Sequence, residues 1–449
     1  MRFTPHTPSD KEQMLRAIGV REVEDLFDHI PQSLRARAEI ALPPGLSELE
    51  VRRRMASLAA RNGSAEDWHF FLGAGSYSHF IPSTVDAVIS RSEFSTSYTP
   101  YQPEVSQGTL QAVYEFQTLI CQLTGMEVAN AGLYDGASAA AEAVLMARRL
   151  QEGRSRVLVS RALHPQYRSV IATYLRNLED VQLVEIPFEP KGGGTDVEHL
   201  LREINERVMC VVVGYPNFFG VIEELAPIQA ACARHGALLV AVTTEALSLA
   251  LLKPPGAWGA DIAVGEGQSL GIPTSLGGPG FGFFACRRKF VRSMPGRLVG
   301  ETVDTEGRRG FVLTLSTREQ HIRREKATSN ICTNQSLCTL AATVFMATLG
   351  RGGMRRLAEI NGARAHGARD RLVKEAGLGA TFSGAFFNEF VLQVKGLARR
   401  LSRLAAEKIV PGSPLVRWYP ELHDSLLICV TEMNQGEEIE RLVQAFSRE

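Results

Sequence analysis

The chain contains 449 residues, of which 45% are hydrophobic and 22% are charged, a composition typical of globular proteins. Lys and Arg together number 49, as do Asp and Glu, so the formal net charge is zero. A neutral chain has no overall field to attract nucleic acid or an anionic membrane surface, and we expect neither as a partner. The length is too great for one simple core and predicts two or three packed units.

The cysteines and the N-terminus indicate a cellular compartment. Seven cysteines are spread singly, with no Cys-x-x-Cys pair and no zinc-ligand spacing with histidine. This pattern is typical of reduced thiols in a cytoplasmic protein and predicts no metal site. The N-terminal residues lack the apolar core of a secretion signal, and apolar runs such as 237–242 are far shorter than the roughly 20 residues that span a bilayer.

Residues 1–65 predict a helical N-terminal arm rather than a domain. The sequence from Pro8 to Asp10 starts a capped helix that Gly19 ends, and Val23 to Phe27 predicts a second short amphipathic turn. The apolar side of such an arm has to pack on something else, either the chain's own core or a partner.

Residues 66–310 predict the large domain of an α/β enzyme. The apolar residues from Leu110 to Leu123 recur every three or four positions, which is the helical period, and residues 136–147 predict an alanine-rich helix. Apolar strands that alternate with helices indicate a largely parallel sheet covered on both faces. The predicted strands are 157–159, 181–186, 208–213, 238–242, 262–264 and 281–285, and polar or helical stretches such as 166–176 and 221–234 separate most of them.

Residues 311–449 predict a small C-terminal α+β domain, which begins within a basic, glycine-dotted stretch from Ser293 to Glu325. Its predicted helices are 337–347 and 367–374, and its predicted strands are 390–394 and 426–430.

Three segments with distinctive glycine, polar or basic residues each allow two interpretations. Residues 132–147 place a glycine loop before a helix whose free N–H groups suit a phosphate, or they form an ordinary capped helix packed on a sheet. The loop 95–104 is rich in Tyr, Ser, Thr and Gln, which favours a site or interface over plain surface. Residues 308–335 are densely basic and are either an anion-binding patch or a solvated face.

Longer motifs give a resemblance. The most specific motifs are FLGAGSYSHFIPS, YTPYQPEVSQGTLQAVYEFQT, GADIAVGEGQSLGIPTSLGGPGFGFFA, MPGRLVGETVD and TREQHIRREKATSNICTNQ. On these motifs the chain resembles the glycine cleavage system P-protein family over essentially its whole length. The match is to subunit 1 of the form that is split into two chains. The resemblance implies the fold of pyridoxal-phosphate-dependent transferases (aspartate aminotransferase-like, fold type I). That fold has a large domain with a mostly parallel sheet, a small α+β C-terminal domain and a helical N-terminal arm.

The resemblance also implies an altered cofactor site. In this family the second half or second subunit carries a His-Lys pair, then an Ile-Pro and a glycine run, and the lysine forms the Schiff base with pyridoxal phosphate. Aligning Ile272 and Gly277 with that pattern puts Gln268 at the lysine, and Thr243 falls near the aspartate that pairs with the pyridine nitrogen. An amide cannot form an imine, and a neutral hydroxyl cannot hold the ring nitrogen protonated. The cofactor is therefore expected on a partner subunit, and the vestigial candidates for binding it here are Gly136, Ser138 and Thr243.

The implied activity is that of a glycine dehydrogenase (aminomethyl-transferring, decarboxylating), an oxidoreductase of glycine catabolism. With a lysine-bearing subunit 2, in an α2β2 heterotetramer, the pair would decarboxylate glycine and pass the aminomethyl group to the lipoyl group of H-protein. This chain would have no catalytic residue of its own, would be inactive alone, and would complete the walls of its partner's site. The candidates for substrate or interface contacts are Tyr98, Thr99, Tyr101, Gln102, Glu104, Arg318 and His321.

Two other functions remain open from the sequence. One is a non-catalytic structural or regulatory subunit that only stabilises the catalytic chain. The other is a stand-alone pyridoxal-phosphate enzyme that uses Lys326, which lies in a distinctive motif beside Arg323 and Arg324.

Overall fold

Helices make up the N-terminal unit of the chain. The computed structural model describes residues 5–38 and 42–448, and contacts divide the chain into residues 1–63 and 64–449. In the first unit, Thr7 and Asp10 form a capping box at the start of α1, and Gly19 ends it in the left-handed conformation. The predicted helix and the predicted turn at Val23–Phe27 are confirmed. The helices of this unit are α1 (Pro8–Ile18), α2 (Gln32–Arg35) and α3 (Glu48–Ala59).

Alternating helices and strands fill the second unit. Each predicted strand of the large domain is confirmed to within two residues at either end. The helices are α4 (Ser83–Ile89), α5 (Ser92–Ser95), α6 (Gln107–Thr124), α7 (Gly136–Leu150), α8 (Pro165–Leu175), α9 (Val197–Glu203), α10 (Leu225–His235), α11 (Gln320–Arg323), α12 (Ser336–Lys374), α13 (Leu397–Ala406) and α14 (Gly436–Ser447). The strands are β1 (His69–Phe70), β2 (Val128–Ala129), β3 (Arg156–Ser160), β4 (Gln182–Ile186), β5 (Val208–Gly214), β6 (Leu238–Thr243), β7 (Ile262–Glu266), β8 (Gly282–Cys286), β9 (Leu298–Val303), β10 (Arg309–Thr314), β11 (Gly379–Ala380), β12 (Glu389–Gln393), β13 (Ile409–Val410), β14 (Ser413–Pro414) and β15 (Ser425–Cys429).

The main sheet has the order β2-β8-β7-β6-β5-β3-β4. Strands β3 to β7 run parallel, whereas β8 is antiparallel to β7, which confirms the prediction of a largely parallel sheet. Alternate residues of each strand enter opposite cores: Val211 and Val213 pack on one face and Cys210 and Val212 on the other. Both faces are therefore buried, and the carboxyl ends of β3, β5, β6 and β7 meet at one edge, where sites form in open α/β sheets.

A second sheet, β11-β12-β15-β14, lies in the C-terminal part of the chain. Its core includes Phe71, Phe390, Leu426 and Phe446, so the segment before β2 contributes to it as well. Strands β9 and β10 form an antiparallel hairpin that the sequence analysis missed, because half of β9 is exposed and polar. The predicted boundaries 1–65, 66–310 and 311–449 stay a prediction.

Helix α12 spans both helices that the sequence predicted separately at 337–347 and 367–374. Its only break is at Gly350, whose φ of 60° and ψ of 178° are not helical. The intervening stretch is rich in glycine and arginine, which hid its helical character. In the part of the chain that the structure describes, α12 alone is long and apolar enough to cross a membrane, but half of its most apolar window is buried in the protein, as in a core helix.

A prediction follows from the tight packing of β6, β7 and β8. A Cβ atom at Gly265 would lie 2.0 Å from the Thr243 carbonyl oxygen and 2.5 Å from the Phe283 ring, so Gly265→Ala should lower the free energy of unfolding by about 1–3 kcal/mol. The control is Gly367→Ala in α12, where the space is open and alanine favours the helix. Thermal unfolding should show a lower Tm for the first variant only, and equal midpoints would contradict this packing.

Candidate functional site

Gln268, which the alignment places at the Schiff-base lysine, lies in the loop after β7 and is 5% exposed. Its Oε1 accepts a hydrogen bond from the Tyr77 backbone N–H at 2.8 Å. Its Nε2 donates to the carbonyl oxygens of Tyr77 at 2.9 Å and Ile272 at 2.6 Å. The oxygen and both amide hydrogens are thus used by backbone groups, so the side chain clamps residues 71–80 over the carboxyl edge of the sheet.

Tyr77 fills the space beside this clamp and is fully buried. Its hydroxyl donates to Glu389 Oε2 at 2.8 Å, and Glu389 Oε1 accepts from the Ala74 N–H at 2.6 Å. Burial raises the pKa of Glu389 to about 7, although both hydrogen bonds act in the other direction. The space beside Tyr77 is therefore occupied by the carboxyl group of Glu389, the first residue of β12.

His164, which follows β3, is held by the same segment. Its Nε2 donates to the Ala74 carbonyl at 2.8 Å and its Nδ1 accepts from the Gln166 N–H at 3.2 Å, which fixes the tautomer. Burial lowers the pKa of His164 to about 4, so the ring is neutral. Thr243, at the end of β6, is also buried, and its hydroxyl donates to the Tyr215 carbonyl at 2.8 Å.

Two carboxylates of the chain cap the N-terminus of α7, the sequence candidate for a phosphate site. The Gly136 N–H donates to Glu266 Oε2 at 2.9 Å, and the N–H and hydroxyl of Ser138 both donate to Asp135 Oδ1 at 2.6 Å. A Cβ atom at Gly136 would lie 2.2 Å from the Tyr167 hydroxyl, so this space is filled. Burial raises the pKa of Glu266 to about 7, against hydrogen bonds from Gly136 and Phe281 that lower it.

The residues at this edge of the sheet do not fit pyridoxal phosphate. All eight lysines of the chain are exposed, so none lies in the buried site around Gln268. The amide groups that would hold a phosphate already donate to oxygens of Asp135 and Glu266, so a phosphate would have to displace these side chains. Lys326 lies on the surface turn Arg324–Lys326 and not in the loop after β7, which argues against a stand-alone enzyme that uses it.

A buried histidine with two carboxylates lies next to this edge. His79 Nδ1 is 2.9 Å from Glu432 Oε2, after β15, and Nε2 is 3.1 Å from Glu245 Oε2, after β6. Asn388 and Asn361 also donate to these carboxylates. Burial alone would lower the pKa of His79, but Glu245 and Glu432 outweigh it and raise the pKa to about 10. The protonated ring therefore links the main sheet to the second sheet.

A separate cluster brings two sequence candidates together at the surface. The rings of Tyr101 and His321 lie 5.1 Å apart in an edge-to-face arrangement. Arg297, which precedes β9, stands behind them: its guanidinium lies 5.6 Å from the Tyr101 ring centre and 3.5 Å from Glu319 Oε2. Glu319 Oε2 is also 3.5 Å from His321 Nδ1. The loop 95–105 and the segment 316–334 therefore meet at Arg297.

The other candidates on these two segments lie in different environments. Tyr98 is 75% exposed, and Gln102 and Glu104 are exposed as well. Thr99 is half-buried, and its hydroxyl has no hydrogen-bond partner among the described residues. Arg318 donates to the backbone carbonyls of 294, 296 and 315, so its guanidinium holds the loop before β9 in place.

Sequence reasoning missed Arg297, Tyr77, His79 and Glu389 as members of these clusters. Arg297 lies in the MPGRLVGETVD motif, where an arginine among small and apolar residues was a usable signal. The buried carboxyls gave none, because their partners are distant in sequence: Tyr77 and Glu389 are 312 residues apart.

We predict that His79→Gln lowers the free energy of unfolding by about 3–5 kcal/mol at neutral pH, because it leaves two buried carboxylates without a cation. The folded pKa of about 10 exceeds the ordinary 6.5, so this stabilisation is complete below pH 6.5 and is lost as the pH rises through 10. The difference in Tm between wild type and variant should shrink from pH 7 to pH 10. His423→Gln, at an exposed histidine, is the control, and a pH-independent difference would refute the ion pair.

Comparisons with known proteins agree with this fold. A family model described as glycine cleavage system P-protein matches residues 1–446. Relatives named probable glycine dehydrogenase (decarboxylating) subunit 1 include one from Anaeromyxobacter dehalogenans, 52% identical over 100% of this chain and 99% of the relative. Another, from Xanthobacter autotrophicus, is 54% identical over 96% of each chain.

Solved structures give the same result. A crystal structure of glycine decarboxylase (P-protein) of the glycine cleavage system, in inhibitor-bound form, has a TM-score of 0.91 and 46% identity over 100% of this chain and 99% of that chain. Sphingosine-1-phosphate lyase of Burkholderia pseudomallei, with a TM-score of 0.64 and 16% identity over 93% of each chain, shares the fold alone. The predicted fold type I class is confirmed, and the chain belongs to the glycine cleavage system P-protein family.

Proposed function

We propose that the chain is subunit 1 of a two-chain glycine dehydrogenase (decarboxylating) and works with a lysine-bearing second subunit. The observation that carries this proposal is Gln268, which stands at the position of the Schiff-base lysine. Its amide oxygen and both amide hydrogens form hydrogen bonds with backbone groups. Relatives of the same length carry the name subunit 1, which supports a second chain as partner.

Pyridoxal phosphate is then held by the partner subunit. The fold supports involvement of this cofactor, and two observations favour its absence from this chain: the exposed lysines and the capped N-terminus of α7. The cofactor supplies the electron sink for decarboxylation when it is bound. The residues of this chain would bind and orient glycine and exclude water at the shared site.

The loop 95–105 and the segment 316–334 are the parts of this chain that suit this task. They expose aromatic rings and amide and carboxylate groups, and Arg297 and Glu319 hold them together from behind. H-protein would present its lipoyl group to this surface, and the assembly would be an α2β2 heterotetramer. Seven free thiols support a cytoplasmic location for the complex.

We predict that borohydride reduction of the assembled complex with pyridoxal phosphate labels a lysine of the partner and none of this chain. Gln268→Lys should not add a label, because the Tyr77 backbone fills the position where the imine would form. Mass spectrometry of the two separated chains is the measurement. A labelled lysine in this chain, at Lys326 or elsewhere, would contradict the assignment of the cofactor.

A second prediction separates a catalytic contribution from a purely structural one. Tyr98→Ala, Gln102→Ala and Glu104→Ala remove exposed side chains, so the complex should still assemble while glycine turnover falls by about tenfold or more. Glu152→Ala, at an exposed turn after α7, is the matched control. Size-exclusion chromatography measures assembly, and bicarbonate exchange measures turnover. Normal turnover in all three variants would contradict a catalytic contribution from these three side chains.

A further inference from the structure

Arg297 lies where two exposed segments meet and is itself only 6% exposed. Its Nη2 donates to the Cys332 carbonyl at 2.7 Å and to the Tyr101 hydroxyl oxygen at 3.3 Å. Its Nη1 donates to Thr333 Oγ1 at 3.2 Å and Asn334 Oδ1 at 3.4 Å. Both Nη atoms are thus engaged by groups of the chain itself, so we infer that any effect of Arg297 on the reaction passes through the groups it holds.

Tyr101 is the exposed member among the groups that Arg297 holds, since the residue is 52% exposed. A guanidinium only donates hydrogen bonds, so the tyrosine oxygen accepts and the hydroxyl proton is left to donate elsewhere. In the described chain, that proton has no acceptor. The ring is fixed from two sides, by the guanidinium 5.6 Å from its centre and by His321 at 5.1 Å.

The positive charge of the Arg297 guanidinium affects which acceptor the Tyr101 hydroxyl favours. Arg297 is positive, and its carboxylate partner Glu319 lies on the Nε side, at 3.5 Å, away from the Nη2 that meets Tyr101. A donor with a fixed positive charge behind it favours a negatively charged oxygen over a neutral acceptor. The ligand chemistry is therefore that of an oxyanion, which in the shared site is either the carboxylate of glycine or the phosphate of the cofactor.

We propose that Arg297 is a positioning residue that holds the Tyr101 hydroxyl as a hydrogen-bond donor to an oxyanion in the partner's site. The inference rests on the proposed function, because it requires a site that this chain shares with a second subunit.

The experiment uses the complex assembled from both full-length subunits. Tyr101→Phe, Arg297→Gln, Arg297→Lys and the Tyr101→Phe/Arg297→Gln double variant are compared with wild type. The apparent Kd of glycine is read from the cofactor absorbance, and the Kd of pyridoxal phosphate from titration of the apo-complex. The controls are Arg156→Gln, which breaks an Arg–Glu pair at the amino end of β3, and Tyr174→Phe on α8.

Tyr101→Phe should raise one of the two constants by about tenfold, that of glycine if the oxyanion is the carboxylate and that of the cofactor if it is the phosphate. Arg297→Gln should give the same shift, Arg297→Lys a smaller one, and the double variant no more than either single change. The controls should leave both constants unchanged.

Two results would overturn the inference. The first is a Tyr101→Phe complex with both constants unchanged. The second is additive losses in the double variant, which would mean that Arg297 does not act through Tyr101. If Arg297→Gln prevents folding, Tyr101→Phe and Arg297→Lys still decide the question. Failure of the proposed function itself would be seen separately, as a chain that does not assemble with a lysine-bearing subunit.

Discussion

The double hydrogen bond between the Gln268 amide and the Tyr77 backbone holds the chain's own segment 71–80 over the carboxyl edge of the main sheet. Once this segment is fixed, Ala74 meets His164 and Glu389, and His79 reaches Glu245 and Glu432. Each of these contacts requires one position of segment 71–80 relative to the sheet edge, because a hydrogen bond weakens when its donor and acceptor move apart. The contacts that this segment makes with the edge therefore depend on one side chain.

The electrostatics of this edge follow from the burial of its carboxyl groups. Glu266 and Glu389 are buried carboxyls with pKa values raised to about 7 by burial, and both are satisfied by backbone N–H groups or a hydroxyl. An anionic ligand placed here would have to displace these contacts and would leave the buried carboxyl groups without their hydrogen-bond donors. Carboxyl groups of the chain itself thus occupy the N-terminus of α7, which is the candidate phosphate site predicted from the sequence.

The elements that the sequence predicted share one property, which is local periodicity. Strand β5 is a continuous apolar run, so its burial on both faces could be read from its residues alone. The β9–β10 hairpin was missed because its outer half is polar, and α12 was divided because its glycines weaken a helical pattern that tertiary packing restores. The position of Gln268 could be predicted from a motif, but its clamp to Tyr77 could not, since the two residues are 191 positions apart.

The polar groups at the carboxyl edge of the sheet pose a specific physical problem, which this chain solves internally. A cavity of polar groups at a sheet edge would cost free energy, because each buried donor or acceptor without a partner loses its hydration. Segment 71–80 supplies those partners from within the chain, through Tyr77, Ala74 and His79. This edge of the sheet is therefore held by contacts within the chain. A fixed backbone is also what the surface around Arg297 requires, because Arg297 can hold Tyr101 in one place only if the loop 95–105 and the segment 316–334 do not move relative to each other.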